Sequence, residues 1–392
     1  MSQTAQPDAP AVNGQRRAAP DLLYTEQENE LRSAVRSLLA DRCAWPDVLA
    51  RTETADSYDT GLWQSLAADL GCAGLLIPDE HGGAGASYRE AAVVAEELGR
   101  AVAPVPYLGS AVVATTAALA AGHASLLAAL ASGGTTAALA VPFSAVPGGV
   151  PAMRIGPPGD GGGYQISGTV TSVADALPAS VLLVPADGVP FGLYQVQADG
   201  GGVTRTAVTS LDATRQLADI TLDGAPATLV AAGEAARAAV DAALTAGAAI
   251  LAAEQLGAAQ QCLDMTVGYV KQRRQFARPV GSFQAIKHRL ADLWVALTQA
   301  RAASRYAAAC LATGDPDTPV AVALAKAACS DAAVLAGQEC VQLHGGIGFT
   351  WEHPAHLYLK RAKSSSIGFG TADWHRATLA ALADLPAPGG AR

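Results

Sequence analysis

The sequence is poor in charge. Only 16% of its 392 residues are charged, with 26 Lys and Arg against 35 Asp and Glu, for a net charge of −9. The basic residues form no stripe, so we expect no nucleic-acid partner. So low a charged fraction indicates that much of the surface is buried between subunits. The chain is 50% hydrophobic and too long for one ordinary core, which predicts two or three domains.

Paired cysteine motifs and a leader pattern are also missing. The six cysteines show no C-x-x-C spacing and mostly lie in apolar helical contexts. We therefore expect small buried thiols in a reducing, cytoplasmic compartment. Residues 1–21 lack the apolar core of a signal peptide, so we expect disordered tails there and at 386–392. The apolar stretch from Ala111 to Phe143 is broken by glycines, which predicts helices of a soluble protein and no membrane span.

Several catalytic motifs do not occur. The chain has no G-x-S-x-G, which argues against an α/β-hydrolase. The string GGIGFT at Gly345 to Thr350 is not a full G-x-G-x-x-G and follows a helical pattern, so a Rossmann site is not expected. His353 and His356 are three residues apart, but no third ligand is near in sequence. We therefore predict no metal site.

Three segments differ in hydrophobic periodicity. Residues 22–134 predict an N-terminal helical domain. Proline, glycine and short β-like runs dominate residues 135–229, which predicts a small middle antiparallel β-domain. Residues 230–385 contain four helical patterns in series, which predict a C-terminal antiparallel four-helix bundle. The expected fold is therefore multi-domain, with helical, β and helical parts in that order.

Start signals place some of these helices. Ser87 and Glu90 form the pattern of a capping box before an apolar helical face. Ser282 is expected to cap the second helix of the C-terminal bundle, and the last helix is expected to start near Thr371.

Two stretches offer ligand-binding groups. RRQFARPVGSFQAIKHRLADL places Arg273, Arg274, Arg278 and Lys287 around a helix break, and QLHGGIGFTWEHP places Gln342 and two glycines at a helix end. Arginine forks and exposed backbone N–H groups suit a pyrophosphate. Arginines at helix ends are equally often solvated or paired with carboxylates, so these residues alone leave both interpretations open.

These stretches, together with LGCAGLLIPDEHGGAGASYREAAVVAEELGR, resemble in order and spacing three signatures of the acyl-CoA dehydrogenase family. The resemblance covers about Leu22 to about Leu385. It implies the helical, β and helical-bundle fold, FAD as cofactor and an acyl-CoA thioester as substrate. It also implies the family's reaction, in which a carboxylate removes the α-proton while the β-hydrogen leaves as hydride to the flavin. Electron-transfer flavoprotein is the redox partner that this family implies.

The resemblance fails at the catalytic base. In most members the base is a glutamate directly before a Gly-Thr pair; here Gly370 and Thr371 are preceded by Phe369. Other members carry it on the first long C-terminal helix, at the position of Gly247. Neither residue can accept a proton, so we predict no catalytic residue at either position. Glu254, about two turns beyond Gly247 at 3.6 residues per turn, is either a displaced base or a helix-surface or interface residue.

Other departures fall at the end of the site that holds the flavin ring. Ser172 stands where the family has a tryptophan, and Ala174 where it has a flavin-bonding threonine. The loop VPFSAVPGG lacks the family's glutamate and Ser-Asp end. Asp373 replaces a polar residue, usually glutamine, and Lys360 and Arg361 replace an Arg-Asp pair.

The residues that match the family belong to the other end of the cofactor. In the family's oligomers they reach across an interface to the adenine and pyrophosphate of FAD held mainly by a neighbouring subunit. The predicted cofactor-binding residues are Arg273, Phe276, Gln284, Gln342, Gly345, Gly346 and Thr371.

This pattern predicts the base-lacking subunit of an α2β2 acyl-CoA dehydrogenase. A paralogous partner would share one FAD per heterodimer with this chain, and family members of this kind often act on bulky acyl-CoAs such as sterol side chains. Phe369 then fills a pocket that needs no base. The alternatives are a self-sufficient flavoenzyme with a displaced base and a non-enzymatic scaffold pseudoenzyme.

Overall fold

A computed structural model describes residues 21–54, 56–150, 153–156, 163–188 and 190–385. The predicted tails, apart from Asp21, lie outside the described residues. The expected order of helical, β-rich and helical parts is confirmed. The N-terminal helices are α1 Glu26–Arg42, α2 Trp45–Thr52, α3 Thr60–Gln64, α4 Tyr88–Arg100, α5 Thr115–Ala120 and α6 Ala124–Ala131, with π-helical turns at Ser65–Asp69 and Tyr107–Ala114.

The predicted capping box begins α4. The Ser87 hydroxyl accepts a hydrogen bond from Arg89 N at 3.1 Å, and the Glu90 carboxylate accepts one from Ser87 N at 2.9 Å. This helix has a largely buried face that packs against the C-terminal bundle.

The middle of the chain forms a seven-stranded sheet. Its strands are β1 Ala137–Leu139, β2 Met153–Ile155, β3 Tyr164–Ala174, β4 Val181–Asp187, β5 Gly192–Gln197, β6 Val203–Val208 and β7 Leu217–Ala232. The sheet is mixed, because β4 runs parallel to both β1 and β2 while the other pairings are antiparallel. The prediction of an antiparallel domain holds for most pairings but not for these two, since periodicity does not reveal strand direction. Because β5 pairs with both β4 and β7, the sheet closes on itself around an apolar core.

The C-terminal part has one helix more than predicted. Its helices are α7 Glu234–Gln272, α8 Gln284–Thr313, α9 Thr318–His344, α10 Ala355–Ser365 and α11 Ala372–Leu382, and the hairpin β8 Arg274–Gln275 with β9 Arg278–Pro279 joins α7 to α8. The additional helix is α10. The predicted cap of α8 was also wrong, because the Ser282 hydroxyl donates to Pro279 O at 2.7 Å and the helix begins at Gln284. The last helix begins near Thr371 as expected, and Thr371 caps it, since its hydroxyl accepts from Trp374 N at 3.2 Å.

The 39-residue helix α7 is the centre of the molecule and has no proline to interrupt it. Two glycines let α4 cross it closely. A Cβ atom on Gly99 would lie 2.0 Å from Glu254 O, and one on Gly257 would lie 1.7 Å from Glu96 O. Only glycine permits backbones to approach this closely, and the crossing sets the position of Glu254 in the core.

Two helical stretches, Glu234–Gln272 and Thr318–Phe349, are long and apolar enough to cross a membrane by length and composition alone. In each, 67% of the most apolar window is buried against the rest of the protein. Such burial is what the core helices of a packed bundle show, so these stretches are weak evidence for a membrane span.

Candidate functional site

Phe369 lies in a tight turn between α10 and α11. Its φ is +51°, a left-handed conformation that is uncommon for a bulky residue. The ring is buried and packs edge-on against Phe143, with the ring centroids 5.5 Å apart. Phe369 N also donates a hydrogen bond to Phe143 O at 2.8 Å. The turn and the loop that carries Phe143 are therefore joined directly by backbone and side chain.

The same ring occupies the space next to Gly247 on α7. A Cβ atom built on Gly247 would lie 2.9 Å from Phe369 Cζ and 3.0 Å from Val113 Cγ2. The two positions at which a base was considered from the sequence therefore meet in one place, and one phenyl ring fills it.

Little space remains around this ring. The cavity beside Phe369 and Phe143 has a volume of about 20 Å³, room for about one water molecule. Ala174, the position of the family's flavin-bonding threonine, lies in its apolar wall. Ser172, at φ +57°, is held by a hydrogen bond from its N–H to Asp219 Oδ1 at 2.8 Å. An acyl chain or a flavin ring has no room in this conformation.

Glu254 is neither a surface residue nor a free base. Its carboxylate is buried, accepts a hydrogen bond from Arg361 Nε at 2.9 Å and forms an ion pair with Arg215. Burial alone would raise the pKa of Glu254, but Arg215 and Arg361 outweigh it and hold the pKa below its usual value. A carboxylate held ionised by two arginines is poorly suited to take a proton, which argues against the displaced-base hypothesis.

The ion pairs extend into a network that joins all three parts of the chain. Arg361 also donates to Thr214 Oγ1 at 2.9 Å and lies 3.5 Å from Asp212. Nearby, Tyr58 from the N-terminal part donates to Asp175 Oδ1 at 2.6 Å, and Arg215 lies over the ring of Phe143. The small cavity is thus flanked by a buried network of polar and charged side chains. Its members are Tyr58, Asp175, Asp212, Thr214, Arg215, Glu254 and Arg361.

Two buried titratable side chains donate hydrogen bonds to the backbone of the turn that contains Phe369. His375 Nε2 donates to Phe369 O at 2.9 Å, and Lys326 Nζ donates to Ser330 Oγ at 2.8 Å and Gly370 O at 3.4 Å. Burial lowers the pKa of Lys326 to about 7 and that of His375 to about 4. Sequence reasoning missed both residues, because nothing in the local pattern distinguishes a buried lysine from an exposed one.

A second and much larger cavity opens where α7 and α9 end. Its volume is about 560 Å³, within the usual range of small-molecule sites. Four of the seven predicted cofactor-binding residues line it, and we call these four the cradle: Arg273, Gln342, Gly345 and Gly346. The structure thus brings together residues that lie about seventy positions apart in the sequence.

The other three predicted residues do not line this cavity in the described part of the chain. Phe276 is at the tip of the β8–β9 hairpin, 87% exposed, and Gln284 is exposed at the start of α8. Thr371 is engaged as the cap of α11. Phe276 and the following Ala277 both have positive φ, at +53° and +59°, although neither is glycine. Strain of this kind is retained mainly at functional positions.

The cradle carries unpaired positive charge. No acidic residue occurs between Asp264 and Asp292. Arg289 lies in the cavity wall but is neutralised by Glu339, with two hydrogen bonds of 2.7 and 2.8 Å. The guanidinium of Arg273 has no partner among the described residues. A free arginine fork in a cavity suits a phosphate-containing ligand.

Nothing within the described chain requires a glycine at position 346. A Cβ atom built on Gly346 meets no described atom within 4 Å, and its φ is not positive. Gly345 also has open space, but its φ of +64° favours glycine by itself. A glycine without an internal reason is consistent with close approach of a ligand from outside.

Comparisons with known proteins identify the family through its N- and C-terminal parts. Residues 25–135 match the family model described as "Acyl-CoA dehydrogenase, N-terminal domain". Residues 236–383 match the one described as "Acyl-CoA dehydrogenase, C-terminal domain". The chain belongs to the acyl-CoA dehydrogenase family.

Individual acyl-CoA dehydrogenases are similar over most of the chain. Acyl-CoA dehydrogenase IpdE2 of Mycobacterium tuberculosis is 37% identical over 349 residues, which are 87% of this chain and 92% of the relative. A variant of the Tcur3481-Tcur3483 steroid ACAD has a TM-score of 0.80 at 31% identity, covering 92% of this chain and 98% of that one. The ChsE4-ChsE5 complex from M. tuberculosis has a TM-score of 0.83 at 28% identity, covering 94% and 100%.

FAD is the family's cofactor, and the two cavities fit it differently. The residues around Phe369 do not fit a flavin ring, because the ring of Phe369 and that of Phe143 occupy the space. The cradle does fit the phosphate end of a dinucleotide, through the free Arg273 guanidinium and the open backbone at Gly345 and Gly346. Within the described residues, no group of three His, Cys, Asp or Glu could hold a metal ion.

Proposed function

We propose that this chain is the non-catalytic subunit of a heteromeric acyl-CoA dehydrogenase and completes the FAD site of a paralogous partner. The observation that carries the proposal is the contrast between the two cavities. The base positions are filled by Phe369 in a cavity of about 20 Å³, while Arg273 lines an open cavity of about 560 Å³.

In the proposed assembly, an α2β2 tetramer, each heterodimer holds one FAD. Arg273 would bind the pyrophosphate from this side, and Gly345 and Gly346 would allow the dinucleotide to approach the backbone. The partner would supply the base and the ring-binding residues, and FAD would there accept the hydride from the β-carbon of the acyl-CoA. This chain's contribution is to hold and orient the cofactor.

The structurally similar complexes support a paralogous partner, since both are named as pairs of proteins and one is a steroid enzyme. We propose accordingly that the substrate of the assembly is a bulky acyl-CoA, that electrons pass to an electron-transfer flavoprotein, and that the assembly is cytoplasmic. The partner is expected to be a family member with glutamate before the Gly-Thr of its last helix turn.

Co-expression with such a paralogue tests the proposal. FAD is measured by absorbance, the subunits are counted from particle mass, and both are repeated for this chain alone. We expect one FAD per heterodimer and almost none in the homomer. One FAD per chain in the homomer would instead support a self-sufficient flavoenzyme. A complex without flavin would support a scaffold protein.

A further inference from the structure

One buried imidazole, that of His344, lies at the cradle, where the end of α7 meets the end of α9. His344 is 3% exposed and lines the same cavity as Arg273 and Gly345. Its ring is stacked between two others, with centroid distances of 4.4 Å to Tyr269 and 4.1 Å to His353. Nothing in the sequence singles this residue out, because a histidine before two glycines has no recognisable role by itself.

The stack connects the end of α7 to the end of α9. Tyr269 O accepts a hydrogen bond from Arg273 N at 2.8 Å, so Tyr269 fixes the backbone from which the Arg273 side chain extends. His344 lies in sequence directly before Gly345, and its ring contacts Tyr269 across the gap. The contact between these two rings therefore links the backbone that carries Arg273 to the backbone that carries Gly345.

The hydrogen bonds of His344 indicate that its ring acts by packing and not by binding a polar group. Its Nδ1 donates to Cys340 O at 2.7 Å, within the same helix, while its Nε2 has no partner among the described residues. Nε2 is also inaccessible to solvent. The imidazole is thus oriented by the helix and contributes mainly a flat surface to the stack.

We propose that His344 is a positioning residue of the cradle, whose ring, held between Tyr269 and His353, sets the spacing of Arg273 and the Gly345 backbone for a dinucleotide pyrophosphate. The inference rests on the proposed function, since it assigns a role within the same cofactor site. It differs from that proposal in that His344 acts through its neighbours and not by touching the cofactor.

The test is FAD retention by the co-expressed heteromer, measured as the dissociation constant from flavin absorbance or fluorescence. His344→Ala removes the ring and should weaken FAD binding at least tenfold. His344→Phe keeps a ring in the stack and should stay within about threefold of the wild type, because the unpartnered Nε2 is not needed. His123→Ala changes a half-buried histidine of the N-terminal part that lines neither cavity, and it should leave FAD binding unchanged.

If His344→Ala fails to assemble, His353→Leu removes the other face of the stack at a partly exposed position and should weaken FAD binding severalfold. Wild-type FAD binding in His344→Ala, or in His353→Leu where that variant is needed, would overturn the inference. So would a loss in His344→Phe as large as in His344→Ala. Arg273→Ala separates the two proposals. Lost FAD binding in Arg273→Ala with intact binding in His344→Ala rejects only the positioning role, whereas intact binding in Arg273→Ala rejects the proposed function.

Discussion

The ring of Phe369 lies against the backbone of Gly247, so close that a Cβ atom at Gly247 would be 2.9 Å from Phe369 Cζ. The family places its base at one or the other of these positions, and here a single side chain excludes a carboxylate from both. The site lacks a base and is also closed, because the Phe143 loop is hydrogen-bonded to the same turn.

Phe369→Glu should therefore not create an enzyme. The substitution restores the family's base at its position, but Phe143 still closes the cavity and Ala174 cannot bind a flavin ring. Replacing a buried ring by a carboxylate without partners should lower the free energy of unfolding by about 3 kcal/mol or more. Acyl-CoA-dependent dye reduction by the homomer with excess FAD, and denaturant unfolding, measure the two effects. Phe369→Leu is the control and should cost less than about 3 kcal/mol. Robust turnover by Phe369→Glu would show that the ring site is intact.

Glu254→Gln should be strongly destabilising. The variant leaves Arg215 and Arg361 buried without the carboxylate that they share, and breaking such a buried pair costs about 3–5 kcal/mol. Asp264→Asn is the matched control on the same helix, because the Arg100–Asp264 pair is partly exposed and should contribute less than about 1 kcal/mol. Equal unfolding midpoints for the two variants would contradict the role assigned to the buried network.

Lys326 should make stability increase with pH above neutrality. Burial lowers its pKa from 10.5 in the unfolded chain to about 7 in the folded protein. Between these values the unfolded state binds more protons, so the free energy of unfolding rises with pH and levels off below about pH 7. Lys326→Met should remove this increase and stabilise the protein near pH 7. Lys363→Met, at an exposed position, should change neither the pH dependence nor the stability. A pH profile of unfolding that is identical in the wild type and Lys326→Met would disprove the assignment.

Gly346→Ala should separate folding from cofactor binding. Since no described atom lies within 4 Å of the added methyl group, the unfolding midpoint of the isolated chain should change little. In the heteromer the methyl group would meet the approaching dinucleotide, and FAD affinity should fall by tenfold or more, about 1.4 kcal/mol. A variant that binds FAD normally would show that the cofactor does not approach this backbone.

The sequence predicted the order of helical and β parts, the capping box of α4 and the closeness of Arg273 to the Gly345–Gly346 pair. These features follow from local patterns or from family signatures. Strand direction in the sheet and the extra helix α10 did not follow, because neither has a decisive local pattern. Long-range contacts were equally hidden. The partners of Glu254 are Arg215 and Arg361. Only the folded structure shows that these two arginines keep its buried carboxylate ionised.

The stack around His344 illustrates the same limit for the candidate site. The signature residues of the cradle were recognisable, but the ring that spaces them was not, because its neighbours Tyr269 and His353 are distant or lie beyond the glycines in sequence. Residues that bind can be inferred from motifs. Residues that position them become visible only through their contacts.

The central claim is that this chain holds a cofactor belonging to its partner's site, and Arg273→Ala in this chain alone tests it most directly. The measurement is the FAD dissociation constant of the purified heteromer, with Arg237→Ala near the start of α7 as control. Loss of a charge-assisted contact of about 1.5–3 kcal/mol should weaken FAD binding by tenfold or more, and Arg273→Lys should restore it only in part. FAD affinity unchanged by Arg273→Ala would contradict the account.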